Sequence, residues 1–226
     1  MTHDLTLQSR ASVTHDTHHL RFKRPKDLSC TPGQAVDLSL MREGWSDQAR
    51  PFTPVNGSEG DTLDFIIKSY PDHEGVTAQI ATLQPGEKVQ ISDPWGAIHD
   101  AGPGTFIAGG AGITPFIAIL RARLLREGAL GGSTLIFSNK TEADIILRKE
   151  FEAMEGLETI WLVTDEANPG PGVQNEKIDR HFLRNHATAA NAPFYICGPD
   201  AMVDDIEEML ISFGIAKSDI IREDFS

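Results

Sequence analysis

The stretch Phe106-Ile107-Ala108-Gly109-Gly110-Ala111-Gly112-Ile113-Thr114-Pro115-Phe116-Ile117-Ala118-Ile119-Leu120 passes from a short apolar run, through three glycines in four positions, into a second apolar run. The first run has the length and continuity of a parallel strand buried on both faces. Thr114-Pro115 places a cap residue before a proline at the first helical position, and Gly128 stands where the helix should stop. Between strand and helix, glycine permits positive φ and close approach of a ligand. The helix start then offers unpaired N–H groups and a positive dipole end to an anion. A dinucleotide pyrophosphate would sit there, beyond the carboxyl ends of the strands. The usual G-x-G-x-x-G fingerprint is not met: Gly110-x-Gly112 is present, but Pro115 occupies the third glycine position. The ribose-binding acid expected about 20 residues on is absent too. On this turn alone, tight packing and nucleotide binding stand as equal alternatives.

Downstream, strand and helix alternate. Short apolar runs at 105–108, 134–137, 159–163 and 194–196 predict parallel strands, with helices beginning near Thr114, Thr141, Asn175 and Pro199. Thr141-x-x-Asp144 has the form of a capping box. Residues 103–226 thus predict a doubly wound α/β domain. Upstream the period changes to two. Leu20 and Phe22 alternate with His19, Arg21 and Lys23; Val36, Leu38 and Leu40 alternate likewise, as do Leu63, Phe65 and Ile67. Punctuation by Pro32-Gly33, Asn56-Gly57 and Pro85-Gly86 predicts about six antiparallel strands over residues 1–100, closed into a small barrel.

The chain has 226 residues, 33 acidic and 20 basic, for a net charge of −13. Such a surface repels phosphate backbones, and no basic stretch is long enough for nucleic acid. No apolar run reaches the ~18 residues of a membrane span, and the polar start lacks a signal-peptide apolar region, so a cytoplasmic location is expected. Two cysteines, Cys30 and Cys197, cannot build a disulfide framework or a four-thiolate iron–sulfur site. His15, His18 and His19 resemble metal ligands, but no cysteine or paired carboxylate nearby in sequence completes a set. A solvated strand edge is the expectation there, with no metal.

Three further segments join the glycine turn: Arg50-Pro51-Phe52-Thr53-Pro54; Phe65-Ile66-Ile67-Lys68-Ser69-Tyr70 followed by Gly75-Val76-Thr77; and Tyr195-Ile196-Cys197-Gly198-Pro199-Asp200-Ala201-Met202. In this order and spacing, the chain resembles the ferredoxin–NADP reductase superfamily, especially its NADH-dependent cytochrome b reductase-like and flavodoxin reductase-like members. The resemblance runs to Glu223-x-Phe225. It implies a flavin-binding barrel followed by a nicotinamide-nucleotide domain, the same architecture that the periodicity predicts.

The resemblance also implies site residues. Arg50 matches an arginine that pairs with a flavin phosphate, for which a planar guanidinium is suited. Pro51 belongs to the same motif, and Phe52 matches an aromatic, usually tyrosine, packed on the flavin ring. Thr53 matches a hydroxyl residue near the ring nitrogen that receives hydride. Ile66, Lys68 and Tyr70 match the strand along the flavin tail, and Gly75, Val76 and Thr77 a helix start at the flavin pyrophosphate. Gly110, Gly112 and Thr114 would hold the nicotinamide dinucleotide. Cys197, Gly198, Pro199 and Met202 match the motif beside the nicotinamide, and Glu223 and Phe225 a terminal acid and aromatic near the flavin. Relatives that prefer NADPH commonly carry Ser-Arg after the third strand of this domain; here Thr164-Asp165-Glu166 stands there. Carboxylates repel a 2′-phosphate and accept from a ribose hydroxyl, and unit charges ~4 Å apart interact by about 4 kcal/mol at an effective dielectric of 20. The expectation is therefore NADH rather than NADPH, with Asp165 at the ribose. FAD is expected rather than FMN, since Gly75-Val76-Thr77 resembles FAD-binding members. The implied enzyme passes electrons from NADH through FAD to a separate flavodoxin, ferredoxin or cytochrome-like acceptor with a basic docking face. A small-molecule flavin or ferric reductase and a non-catalytic redox-sensing subunit are the alternatives.

Overall fold

The computed structural model describes residues 1–57, 60–70, 73–96 and 98–223. Six strands form the first sheet: β1 (Thr2–Ser12), β2 (Thr17–Lys23), β3 (Val36–Leu40), β4 (Arg50–Phe52), β5 (Thr62–Lys68) and β6 (Lys88–Ser92). Their order is β4-β3-β6-β1-β2-β5, antiparallel throughout. The two ends meet where Pro54, just past β4, bridges Phe65 on β5, and the Val55 amide donates to the Asp64 carbonyl at 2.8 Å. The sheet thereby curls into the expected barrel. The period-two residues all turn inward: Leu5, Leu7, Leu20, Phe22, Val36, Leu38, Leu63, Phe65, Val89 and Ile91 are buried in one cluster. Helix α1 (Val76–Ile80) plugs the barrel with Val76 and Ile80.

The second sheet is parallel and also has six strands: β7 (Thr105–Gly109), β8 (Ser133–Asn139), β9 (Leu157–Val163), β10 (Val173–Asn175), β11 (Phe194–Cys197) and β12 (Ile220–Arg222). Their order is β10-β9-β8-β7-β11-β12. Each central strand is apolar on both faces. Phe106, Leu135, Trp161 and Tyr195 join the cluster under α2 (Thr114–Glu127) and α3 (Arg148–Glu152). Ile107, Ile136, Leu162 and Ile196 join the opposite cluster under α4 (Arg180–His186) and α5 (Asp200–Ser212). This double burial is why the runs read as continuous rather than alternating.

Several sequence expectations need correction. Asn175 ends strand β10 and does not begin a helix; that helix starts at Arg180, where the Asp179 side chain caps it by accepting from the Phe182 amide. Thr141 and Asp144 do form a reciprocal capping box, but the box caps one 3-10 turn, Glu142–Asp144. Thr114 lies inside α2 with Ile113 at the cap, and its hydroxyl donates to the Ala111 carbonyl at 3.2 Å. Gly128 terminates α2 in the left-handed region at φ 79°. The histidines are not on a sheet edge. Strand β2 lies between β1 and β5, His19 bonds Asp64 at 2.9 Å, and His15 approaches both Asp16 and Asp144.

The two sheets are joined by buried contacts. Val55, Ile66 and Ile98 of the barrel belong to the same cluster as α2 and β7. Arg121 donates to the Val55 carbonyl at 2.9 Å. Linker residues 100–102 are clasped from the second domain: Tyr195 Oη donates to the Gly102 carbonyl at 2.8 Å and accepts from the Ala101 amide at 2.9 Å, while Arg123 donates to Gly102 at 2.9 Å. Lys68 crosses the boundary as well, pairing with Asp16 at 2.6 Å and with Asp144 at 2.9 Å. Burial pushes both carboxyls up, but the Lys68 ammonium, together with hydrogen bonds from Thr14 and Thr17 to Asp16 and from Thr141 to Asp144, holds them below the usual carboxylate range.

Lys68→Met should therefore destabilise the protein at neutral pH by about 3 kcal/mol, since it leaves two sheltered carboxylates facing each other. Groups with depressed folded pKa values stabilise above their ordinary range, and that contribution fades as pH falls through the folded values. Urea unfolding of both proteins at pH 7 and pH 2.5 should show a large deficit at pH 7 and a smaller one at pH 2.5, below the ordinary carboxylate value from which both groups are lowered. Equal deficits at both pH values would remove Lys68 from this role.

Candidate functional site

The parallel sheet supplies one geometric singularity. Strand order runs outward from β7 through β8 to β9 on one side, and through β11 to β12 on the other. Crossovers therefore leave β7 and β11 in opposite directions, opening a crevice beyond their carboxyl ends. Both glycine motifs lie there: Gly109–Gly112 ends β7, and Cys197-Gly198 ends β11.

The glycines divide into two kinds. A Cβ on Gly112 would stand 2.3 Å from the Cys197 carbonyl oxygen, one on Gly109 2.7 Å from the Met202 sulfur, and one on Gly198 2.6 Å from the Met202 methyl. Gly112 is required by packing of one turn's backbone against the other, whereas Gly109 and Gly198 face the movable end of the Met202 side chain. Gly110 differs: its φ is +52°, and nothing lies within 4 Å of where a Cβ would be. So the packing alternative holds for Gly112, while Gly110 leaves room for a ligand. Pro199 precedes α5 as an exposed cap, and Met202 covers both turns from the first turn of that helix.

Next to the crevice, the Cys197 thiol, 8% exposed, donates to Glu223 Oε2 at 3.7 Å. Burial, and then the neighbouring carboxylate, pushes the thiol well above its ordinary range, so it stays protonated. Burial also raises Glu223. Cys30, the other cysteine, is a free buried thiol pushed up to about 11 by desolvation and is part of no such pair. Phe225 lies outside the described residues.

On the barrel, Arg50 and Pro51 form exposed β4, and the guanidinium bonds only the carbonyl of its neighbour Ala49 among the described residues. Phe52 is half-buried against the barrel core. Thr53 is buried, and its hydroxyl has no intramolecular partner among the described residues. Ile66 belongs to the core between the sheets. Lys68 does not offer its charge to a phosphate, because Asp16 and Asp144 hold it. The same ammonium sits among His15, Asp16 and Asp144, whose ligand atoms lie within 4.8 Å of one another. Tyr70 is exposed, with its ring 5.9 Å from that of His73. Gly75 caps α1 through its carbonyl, so the amides of Val76 and Thr77 in the first turn lack intrahelical acceptors. A guanidinium without an acid partner, an unbonded hydroxyl and amides without intrahelical acceptors, all among the described residues, fit a phosphorylated flavin.

The nucleotide side carries a matching sign of incompleteness. Asn139, at the carboxyl end of β8, is 7% exposed, and both ends of its amide lack a partner among the described residues. Buried polar groups are rarely left so. Beside it, Thr164 and Asp165 donate backbone amides to the carbonyls of Asn139 and Lys140, which leaves the Asp165 carboxylate exposed. Glu166 is engaged, accepting from the Glu142 amide at 2.8 Å. The segment 138–142 that contains Asn139 resembles NADH-type relatives in sequence, but the unpartnered Asn139 amide and the Lys68 bridge were missed. The only signal for the latter was Asp144 in the capping box.

Comparison with known proteins accords with this geometry. Residues 4–99 match the oxidoreductase FAD-binding domain, and residues 106–208 the oxidoreductase NAD-binding domain. An NADH-cytochrome b5 reductase 1 of Aspergillus terreus is 29% identical over 243 residues, covering 95% of this chain and 79% of that protein. The CS-b5R domains of human Ncb5or, in an NAD+ form, superpose with a TM-score of 0.85 at 26% identity, covering 98% of this chain and 69% of that one. A ferredoxin NADP+ reductase from Neisseria gonorrhoeae with bound FAD and NADP shares the fold, with a TM-score of 0.85 at 21% identity over 98% of this chain and 97% of that one. With both halves matched and the two-sheet architecture in place, the chain belongs to the oxidoreductases built from an FAD-binding and an NAD-binding domain.

Proposed function

We propose that the protein is an NADH-dependent reductase that loads electrons onto FAD and delivers them to a small acceptor protein of the cytochrome b5 type. The observation that carries this reading is the switch-point crevice, where the open Gly110 turn lies across from the turn that holds the buried Cys197–Glu223 pair. The relatives named as NADH-cytochrome b5 reductases support the electron donor and the class of acceptor. When bound, FAD supplies the conversion between two-electron hydride chemistry and one-electron transfer.

The chain's own residues would bind and orient. Arg50 holds a flavin phosphate by charge-assisted bonds, with Pro51 and Phe52 setting its approach and the amides at Val76 and Thr77 adding a second anion contact. Thr53 offers its hydroxyl to the flavin ring. Gly110, Gly112 and Thr114 receive the dinucleotide at the start of α2. Cys197, sheltered from water with its proton on Sγ, gives the nicotinamide a neutral wall, and Glu223 fixes the direction of that proton. Asp165 accepts from the ribose hydroxyls and repels a 2′-phosphate. A net charge of −13 favours an acceptor with a basic face and a rate that falls with ionic strength.

Arg50→Ala should weaken FAD binding at least tenfold, from about 1.5–3 kcal/mol of lost charge-assisted bonding. Fluorescence titration of the flavin-stripped protein measures this, and unchanged affinity would take Arg50 out of the flavin site. Steady-state kinetics with ferricyanide as acceptor should give kcat/KM for NADH at least ten times that for NADPH, and Asp165→Asn should narrow the gap. A higher specificity constant for NADPH would sink the donor assignment.

A further inference from the structure

The amides of Thr164 and Asp165 hold the start of their segment to the end of β8, but the rest of that segment has little of its own to fix it. Residues 164–172 join β9 to β10 and contain Pro169, Gly170, Pro171 and Gly172, and no side chain in the segment is buried. Past Asp165, its only amide bonded among the described residues, short of β10, is that of Gly170, which donates to Glu142 Oε1 in a very short hydrogen bond. The other oxygen of that carboxylate takes Arg148 Nη1 at 3.0 Å. Arg148 is itself fixed: its Nη2 donates to the Pro171 carbonyl at 3.2 Å, its Nε to Glu152 at 2.7 Å, and its guanidinium lies 5.9 Å from the centre of the Trp161 ring. Glu142 also gives its amide to Glu166 at 2.8 Å. One arginine and one glutamate thus reach three points of a segment that hydrophobic burial does not place.

We infer that Arg148 and Glu142 are positioning residues for nucleotide choice: they hold the 164–172 segment so that Asp165 presents its carboxylate to the adenosine ribose. This rests on the assignment of Asp165 above. Neither residue touches the nucleotide in this scheme. The engagement of Glu166 by the same clamp leaves Asp165 as the carboxylate on offer. An exposed ion pair is ordinarily worth little. Here its worth lies in geometry, because 2′-phosphate repulsion and ribose hydrogen bonding both depend on where one carboxylate stands. Arginine suits the task because its planar fork serves a carboxylate and a backbone carbonyl at once, which a lysine cannot reproduce.

The test uses the FAD-loaded protein and calorimetric dissociation constants for NAD+ and NADP+, with hydrogen exchange of residues 164–172 alongside. In Arg148→Met and in Glu142→Gln, the preference for NAD+ should shrink at least fivefold and exchange in the segment should rise at least tenfold. Arg148→Lys should fall between Met and wild type. In the double variant Asp165→Asn/Arg148→Met, the Arg148 substitution should add no further loss of preference, because the clamp acts through Asp165. A general structural defect would instead lower both affinities alike and leave their ratio alone, and that result would overturn the inference. So would full additivity in the double variant. If Asp165→Asn by itself left the ratio unchanged, the Asp165 assignment would fail first and the inference with it. If Asp165→Asn lowered the ratio while both clamp variants matched wild type, only the inference would fail.

Discussion

Two backbone turns that touch with no side chain between them hold this molecule's site together. The Gly109–Gly112 turn and the Cys197-Gly198 turn approach so closely that a single methyl group on Gly112 would collide with the Cys197 carbonyl. β7 and β11 are paired up to Ala108 and Cys197, and the contact carries that close spacing on into the turns. It leaves Gly110 as the one glycine of its turn facing open space. Met202 seals the contact from above, so the turns cannot part without exposing its thioether. A crevice at a topological switch point follows from strand order. Its shape here follows from glycine.

The barrel is attached to this arrangement by unlike means. An apolar cluster through Val55, Ile66 and Ile98 gives the attachment its strength but little direction. Direction comes from polar contacts of fixed geometry: Tyr195 and Arg123 on the linker, Arg121 on Val55, and Lys68 between Asp16 and Asp144. Tyr195 links the two systems, since its ring stacks on Phe106 at 4.2 Å while its hydroxyl grips the linker. A flavin on the barrel and a nucleotide on the sheet must meet at fixed separation, so contacts that set angle matter as much as buried area.

Much of this was legible in the chain because period and punctuation are local. Leu20 and Phe22 declared their face of β2, and the apolar runs at Phe106 and Leu135 declared a sheet covered on both sides. Where sequence failed, the deciding partner was remote or the element too short to have a period. Strand β10 has three residues and one buried side chain, Val173, so Asn175 looked like a helix start when the true cap was Asp179. Lys68 reads as one polar residue on a half-apolar strand, and nothing local announces an acid 76 residues away. His15 and His19 looked like an edge because their carboxylate neighbours come from other strands and from the other domain. The glycine turn was ambiguous for a physical reason: it does both things at once, with Gly112 packed and Gly110 open.

The electrostatics of the site separate from those of the surface. A net charge of −13 is spread over both domains, yet the groups nearest the crevice are either neutral or paired. Cys197 keeps its proton, Glu223 is raised by burial, and Glu166 and Glu142 are tied to backbone amides and to Arg148. Among the described residues, the Arg50 guanidinium on the barrel and the Asp165 carboxylate beside the sheet have no ion-pair partner. They have opposite sign and, in the proposed reading, opposite tasks, one drawing a phosphate in and the other keeping one out. On that reading an overall acidic protein accommodates two polyphosphate cofactors because each phosphate would meet a backbone N–H or a nearby cation at short range. The repulsive surface charge lies farther off and is screened by salt within about a Debye length.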